Sequence, residues 1–381
     1  MRILLLGEVY SANLGDALIC KIVQNLIQKQ YPDYQTEFFD ISGRVDLNVL
    51  HPNTIYEKLF VKIMQHIRVP KVKSPHYALF KNNEFRYLKV FLNFRKLDLL
   101  SYDVALFCGG ALFQDHFAGI IELIVKQLSK AGVPTIFHAC GMGPLSQNGE
   151  YLLNKAFCYS NVKAISLRDS IERFRQSFIA SVEPVETYDT ALCCREFIQP
   201  CPSQSDIIGV GIISRAEHMK LQENVIKQLL HYKIPFRVFT NGAQHDYQAA
   251  VRVLRECGCG DLKISQLLTR RPQTPEDLIQ DISTFSKVIS FRMHSLIIAT
   301  AYAIDNRGFV WDEKVRSFYN GLGLSAFAID PFGAVDIVQH IKCENIDYTT
   351  VEEKVSIATH KSKKDLFNAI ERATRGVKND S

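Results

Sequence analysis

The chain has 381 residues, 47% hydrophobic and 22% charged, which is enough to bury a sizeable core in about two domains and excludes a disordered tail or a disulfide-stapled miniprotein. Lys plus Arg is 45 against 40 acidic residues, a net charge of +5, too mild for nucleic acid to be the main partner.

In chain order, Ile3–Leu6 is a short apolar run ended by Gly7 and reads as a buried strand. Asp16 can cap a helix over about 17–29. A second strand, Val104–Cys108, is closed by Gly109-Gly110 and followed by helical periodicity over 120–131. Strand 134–139, helix 151–159, strand 164–167 and helix 170–178 come next. Arg195–Asp206, with Pro200, Pro202 and two serines, breaks the pattern and reads as a linker. Alternation resumes with strand 207–213, helix 217–231, strand 236–240, helix 247–257 and a short strand near Leu262. Helix 275–285, strand 287–291, helix 295–303, strand 308–311 and helix 315–322 complete it. The expectation is two Rossmann-like α/β domains whose parallel sheets face a cleft. They span 1–194 and 207–334, joined by the linker 195–206. A helical extension follows over 335–381, its end from Lys361 fraying on the surface.

The longest apolar runs, such as Val104–Phe113 and Leu296–Ile304, fall short of the roughly 20 residues needed to cross a bilayer. The N-terminal run Ile3–Leu6 is too short for a secretory signal, so a cytoplasmic location is expected. The 10 cysteines are scattered through apolar segments and read as reduced, buried thiols. Neither Cys193-Cys194 nor Cys257-Gly258-Cys259 has the paired spacing of a zinc site, and no metal is expected. The stretch 59–96 interleaves nine basic residues and one acid, Glu84, with many aromatics. That composition suits a surface resting on anionic lipid head groups, and equally a solvated helix face beside a core.

In open parallel sheets ligands bind beyond the carboxyl ends of the strands. Five such places stand out: Asn13-Leu14-Gly15-Asp16, Gly109-Gly110 with Asp115 beyond, Gly141-Met142-Gly143-Pro144, Ser166-Leu167-Arg168-Asp169, and Phe291-Arg292-Met293-His294-Ser295. Each has a plainer explanation, a turn glycine, a cap or a core histidine, and none alone is a fingerprint.

Their joint order carries more weight. N-L-G-D-A-L-I, C-G-G-A-L-F-Q-D, G-M-G-P-L, S-L-R-D-S, D-T-A at Asp189–Ala191, S-F-R-M-H-S and W-D-E-K-V-R together resemble the polysaccharide pyruvyl transferase family over roughly Arg2 to Leu324. The resemblance implies a GT-B-like fold and transfer of pyruvate from phosphoenolpyruvate onto a sugar as a ketal, in building capsule, exopolysaccharide or other envelope glycans. Two departures stand out: Asp189-Thr190-Ala191 where the family usually has D-P-A, and Asp305-Asn306-Arg307 where it commonly has a proline. The second would alter a cleft-facing turn and bears on acceptor specificity.

The chemistry of the residues agrees with that resemblance. A donor carrying a phosphate and a carboxylate calls for guanidinium forks. Arg168 and Arg292 are the first candidates, Arg215 and Lys314 the second, and backbone N–H groups near Asn13, Gly15, Gly109 and Gly110 could assist at helix N-termini. His294 is the candidate proton donor to the vinyl carbon, with Asp16 and Asp115 as candidate bases for the sugar hydroxyl. No metal or redox cofactor is required. The expected partners are phosphoenolpyruvate, a saccharide acceptor in a lipid-linked form and an anionic membrane surface. The alternatives are a GT-B glycosyltransferase using a nucleotide sugar, for which no E-x-x-x-x-x-x-E pattern is found in the second domain, and a non-catalytic glycan-binding member.

Overall fold

The computed structural model describes residues 1–46, 84–200, 206–332, 335–342 and 348–375. Their contacts form two compact units: Met1–Ser11, Ile19–Asp189 and the C-terminal stretch from Lys361 in one, Ala12–Leu18 and Thr190–His360 in the other.

The first unit is built on a parallel sheet of β1 (Arg2–Gly7), β2 (Gln35–Asp40), β3 (Val104–Phe107), β4 (Gly110–Phe113), β5 (Thr135–Met142), β6 (Val162–Leu167) and β7 (Val185–Glu186). The order is β2-β1-β3-β5-β6-β7, with β4 alongside β5. The strand order reverses between β1 and β3. The runs Ile3–Leu6 and Val104–Phe107 are fully buried, as their lack of polar residues requires. Phe107 stacks on Phe137 at 4.5 Å, and Phe113, Phe157 and Phe174 continue this aromatic core toward the helices 115–130, 147–157 and 171–177.

Two expectations for this unit change. Gly109-Gly110 does not end the sheet but carries the chain from β3 straight into β4. Gly109 and Gly110 have φ of +101° and +86°. A Cβ at Gly109 would meet the carbonyl oxygens of His138 and Ala139 at 3.0 Å, so glycine is needed here for backbone geometry. The final helix, Tyr348–Thr374, does not fray from Lys361: Leu366, Ile370 and Ala373, spaced by a helical turn, are buried, and Phe367 meets Tyr31 edge-on at 5.8 Å. Of the basic, aromatic stretch 59–96, residues 59–83 lie outside the described residues. The remainder includes the helix Glu84–Phe94, which buries Val90 and Phe94 and exposes Leu92.

The second unit holds β8 (Ile208–Gly211), β9 (Phe236–Phe239), β10 (Lys287–Ser290), β11 (Asp305–Phe309) and β12 (Ala328–Ile329), all parallel in the order β12-β11-β10-β8-β9. The order reverses between β8 and β10. The short strand anticipated near Leu262 is instead the helix Asp261–Leu267. Ile264 is the residue of this helix turned into the core, while Leu262 points outward. Asp305-Asn306-Arg307, expected as a cleft-facing turn, lies within β11. Arg307 is buried, ion-paired with Asp305, its guanidinium 5.0 Å from the Phe327 ring. Of the segment expected as a linker, Arg195–Glu196 ends a 3-10 segment begun at Thr190, and residues 201–205 lie outside the described residues. The described cysteines are free thiols, buried except for exposed Cys158 and half-buried Cys257. Among the described residues no helix is long and apolar enough to cross a membrane.

Candidate functional site

A grouping of polar side chains in the second unit lies where its strand order reverses, the position at which open α/β sheets leave a crevice beyond their carboxyl ends. β8 runs out into Ser214-Arg215 and β10 into Arg292. Asp246, in the first turn of the helix Gln244–Glu256, is fully buried and joins the two. Its Oδ1 accepts from the Ser214 backbone N–H at 2.9 Å. Its Oδ2 accepts from Arg292 Nε at 3.0 Å and also from Nη2. One edge of the Arg292 fork is thereby locked, and Nη1 has no partner among the described residues. The Arg292 side chain is 24% exposed, so the guanidinium is oriented without being sealed.

His294 lies two residues on, in the first turn of the helix Met293–Ala301, and is buried. Its Nδ1 is 3.9 Å from Asp16 Oδ1, close enough for attraction to an imidazolium and too long for a hydrogen bond. Asn13 Nδ2 donates to Asp16 Oδ2 at 2.7 Å and turns the other carboxylate oxygen toward the ring. Gly15 explains the close approach, since a side chain there would land on the imidazole. Asn241 clamps these pieces together: its carbonyl accepts from Leu14 N–H at 2.9 Å and its Oδ1 accepts from Ser295 Oγ at 2.6 Å. Asn13, Gly15, Asp16, Arg292 and His294 thus form one constellation within the second unit.

The second-choice cations differ in setting. The Arg215 guanidinium lies 4.5 Å from the centroid of the Trp311 ring, whose Nε1–H donates to the Phe291 carbonyl at 2.6 Å. Burial beside these rings pushes the His218 pKa below its usual value. Lys314 faces Asp312 across 3.9 Å.

In the first unit, Arg168 is buried at the end of β6, pairing through Nη1 with Asp189 and through Nε with Asp169 at 3.5 Å. Asp169 in turn accepts from Met142 N–H at 2.9 Å, which ties the Gly141 turn to the arginine. A side chain at Gly141 would collide with both Asp169 and Arg168. Asp115 accepts from the Ser146 backbone N–H at 2.8 Å and from its hydroxyl at 2.9 Å, so it braces the loop before the next helix.

Asp246, Asn241 and the pairing role of Asp189 escaped the reading of the sequence. The only signal for Asp246 is an acid in the first turn of a helix, which ordinarily means no more than favourable interaction with the helix dipole. Asn241-Gly242 reads as a turn, and Gly242 does have φ +100°.

Two parallel α/β units of this topology define the GT-B fold class, which glycosyltransferases and epimerases share. Solved structures of that class match across the whole chain. S. aureus MnaA with UDP has a TM-score of 0.55, with 11% identity covering 97% of this chain and 96% of that one. HepE of Anabaena in complex with UDP-glucose has a TM-score of 0.55, with 12% identity and 99% of each chain covered. The UDP-GlcNAc 2-epimerase of Neisseria meningitidis bound to UDP-GlcNAc reaches 0.52, with 12% identity and 100% of each chain covered. No curated protein matches the sequence. The sequence pattern of the polysaccharide pyruvyl transferases matches residues 13–313, and the chain belongs to that family of transferases.

Proposed function

We propose that the protein transfers the enolpyruvyl group of phosphoenolpyruvate onto two hydroxyls of one saccharide as a pyruvate ketal, in envelope or extracellular polysaccharide synthesis. The observation that carries this reading is the Asp246-locked Arg292 fork two residues before a buried histidine that faces Asp16. A guanidinium with one edge fixed offers its other N–H groups to an anion in a set direction, at little entropic cost. Arg292 is assigned to the donor's phosphate or carboxylate, whereas Arg168, its side chain almost fully buried between Asp169 and Asp189, serves the first unit as a structural ion pair. Arg215 and Lys314 serve as accessory cations, and backbone N–H groups near Gly15 as accessory donors.

His294 protonates the methylene carbon, and Asp16 stabilises the imidazolium that delivers the proton. A sugar hydroxyl adds to the neighbouring carbon as cationic character develops there and loses its proton to a base. A second hydroxyl then displaces inorganic phosphate and closes the ketal. Such proton transfer is worth about 10² to 10⁴ in rate. Asp115 accepts two hydrogen bonds from Ser146, a setting that favours bracing over proton abstraction and makes Asp16 the stronger candidate base.

The deciding experiment incubates the protein with phosphoenolpyruvate and extracted lipid-linked oligosaccharides, then looks by mass spectrometry for an added pyruvate ketal. Phosphate should be released only when the acceptor is present, and Arg292→Ala and His294→Ala should abolish both signals while remaining folded. Protection against thermal unfolding by a nucleoside diphosphate and not by phosphoenolpyruvate would overturn the reading in favour of a glycosyltransferase.

A further inference from the structure

The second unit carries a groove that the chemistry above does not use. It lies at the amino ends of β8 and β9, the opposite end of the sheet from Ser214, Asn241 and Arg292. Its volume is about 530 Å³ and its floor is apolar, formed by Leu229, Leu230, Ile234 and Leu267. Its rim is basic: Lys233, Arg237 and Lys263 line it, all three exposed. Among the described residues none of the three forms an ion pair, whereas most other arginines of this unit do. Asp281, the acid that acts on Arg237, is itself buried enough for its pKa to be pushed up to about 6. Asp261, the acid next to Leu262, is taken up by Arg255 at 3.1 Å. Two large apolar side chains flank the groove in sequence and point into solvent, Tyr232 at 58% and Leu262 at 77% exposure. Leaving this ring and these methyls in water forgoes the free energy that an apolar layer covering them would recover.

We infer that this edge docks on an anionic phospholipid surface, with Lys233, Arg237 and Lys263 on the phosphates and Tyr232 and Leu262 entering the interfacial layer. Charge complementarity selects the partner: three exposed cations that form no ion pair among the described residues, set around an apolar floor, match an anionic head group attached to acyl chain. An acidic protein would meet the same cations but would leave Leu262 and Tyr232 without an apolar layer to enter. The geometry leaves the carboxyl ends of the strands pointing away from the bilayer, so docking would not obstruct the candidate site of this unit.

The test is co-sedimentation of the full chain with phosphatidylcholine vesicles with and without phosphatidylglycerol, at low and high salt. The expected result is binding that needs phosphatidylglycerol and weakens with salt. Neutralising the rim in K233Q/R237Q/K263Q should weaken partitioning about 100-fold. Tyr232→Ser and Leu262→Ser should each weaken it about 10-fold. All five positions are on the surface, so circular dichroism and thermal midpoints should stay at the wild-type values. Phosphoenolpyruvate-dependent phosphate release with a soluble acceptor should also be unchanged, which separates failure of docking from failure of the proposed chemistry. Wild-type protein that does not sediment, or a neutralised variant that sediments as well as wild type, overturns the inference. Concentration-dependent dimerisation without lipid, abolished by the same substitutions, would also overturn it and reassign the groove to a second copy of the chain.

Discussion

Asp246→Asn probes the candidate site through a residue assigned to position Arg292. The substitution keeps the volume and an oxygen that can still accept from Ser214 N–H, but removes the charge that holds Nε and Nη2 of Arg292. Breaking a fully buried pair costs about 3–5 kcal/mol. Asp246 is fully buried, yet the Arg292 side chain is 24% exposed, so water recovers part of that and a loss of about 2 kcal/mol is expected. For a unit of this size that corresponds to a fall of about 4–8 °C in midpoint. The ligand effect is separate. A guanidinium free to swing makes one or two fewer charge-assisted bonds in the bound state, worth about 1.5–3 kcal/mol, or about 10- to 100-fold in affinity. Titration calorimetry with phosphoenolpyruvate on wild type, D246N and R292A, alongside thermal unfolding, reads both numbers. D246N binding the donor as tightly as wild type while R292A does not would reduce Asp246 to a structural role. Unchanged binding by both variants would remove Arg292 from the donor site.

Gly15→Ala should place a methyl on the His294 ring and lower kcat by about 10-fold or more through a displaced proton donor, with little change in the Kd for phosphoenolpyruvate; an unchanged kcat would mean that the ring position is irrelevant. Asp189→Asn should destabilise the first unit by about 3 kcal/mol, because both partners of its pair with Arg168 are almost fully buried. The apolar pair R168M/D189L should recover part of that loss in urea denaturation, and strictly additive losses would contradict the assignment. His138 supplies a pH test. Burial pushes its pKa from 6.5 down to about 4. Above 6.5 the ring is neutral whether folded or unfolded and contributes nothing. As pH falls from 6.5 toward 4, only the unfolded chain takes up the proton, and stability drops by as much as about 3 kcal/mol. His138→Gln should flatten that part of the stability-pH curve, and a variant with the full wild-type slope would refute it.

The sequence by itself determined the fold class. Continuous branched, apolar runs such as Ile3–Leu6 and Val104–Phe107 have no polar face to offer water, so they can exist only as strands covered on both sides, which requires helices in alternation. It also placed Asn13, Gly15, Asp16, Arg292 and His294 just beyond strand ends, where ligands bind. Tertiary structure decided how each of these is held. Whether an arginine is a presented fork or a sealed ion pair depends on which distant carboxylate reaches it, and Asp246 meets Arg292 across 46 positions of chain while Asp189 meets Arg168 across 21. Local pattern carries no trace of such pairings. The same reason explains Arg307, turned inward by Asp305 within its strand, and the final helix, whose apolar stripe shows its purpose only when Leu366 and Ile370 are seen buried.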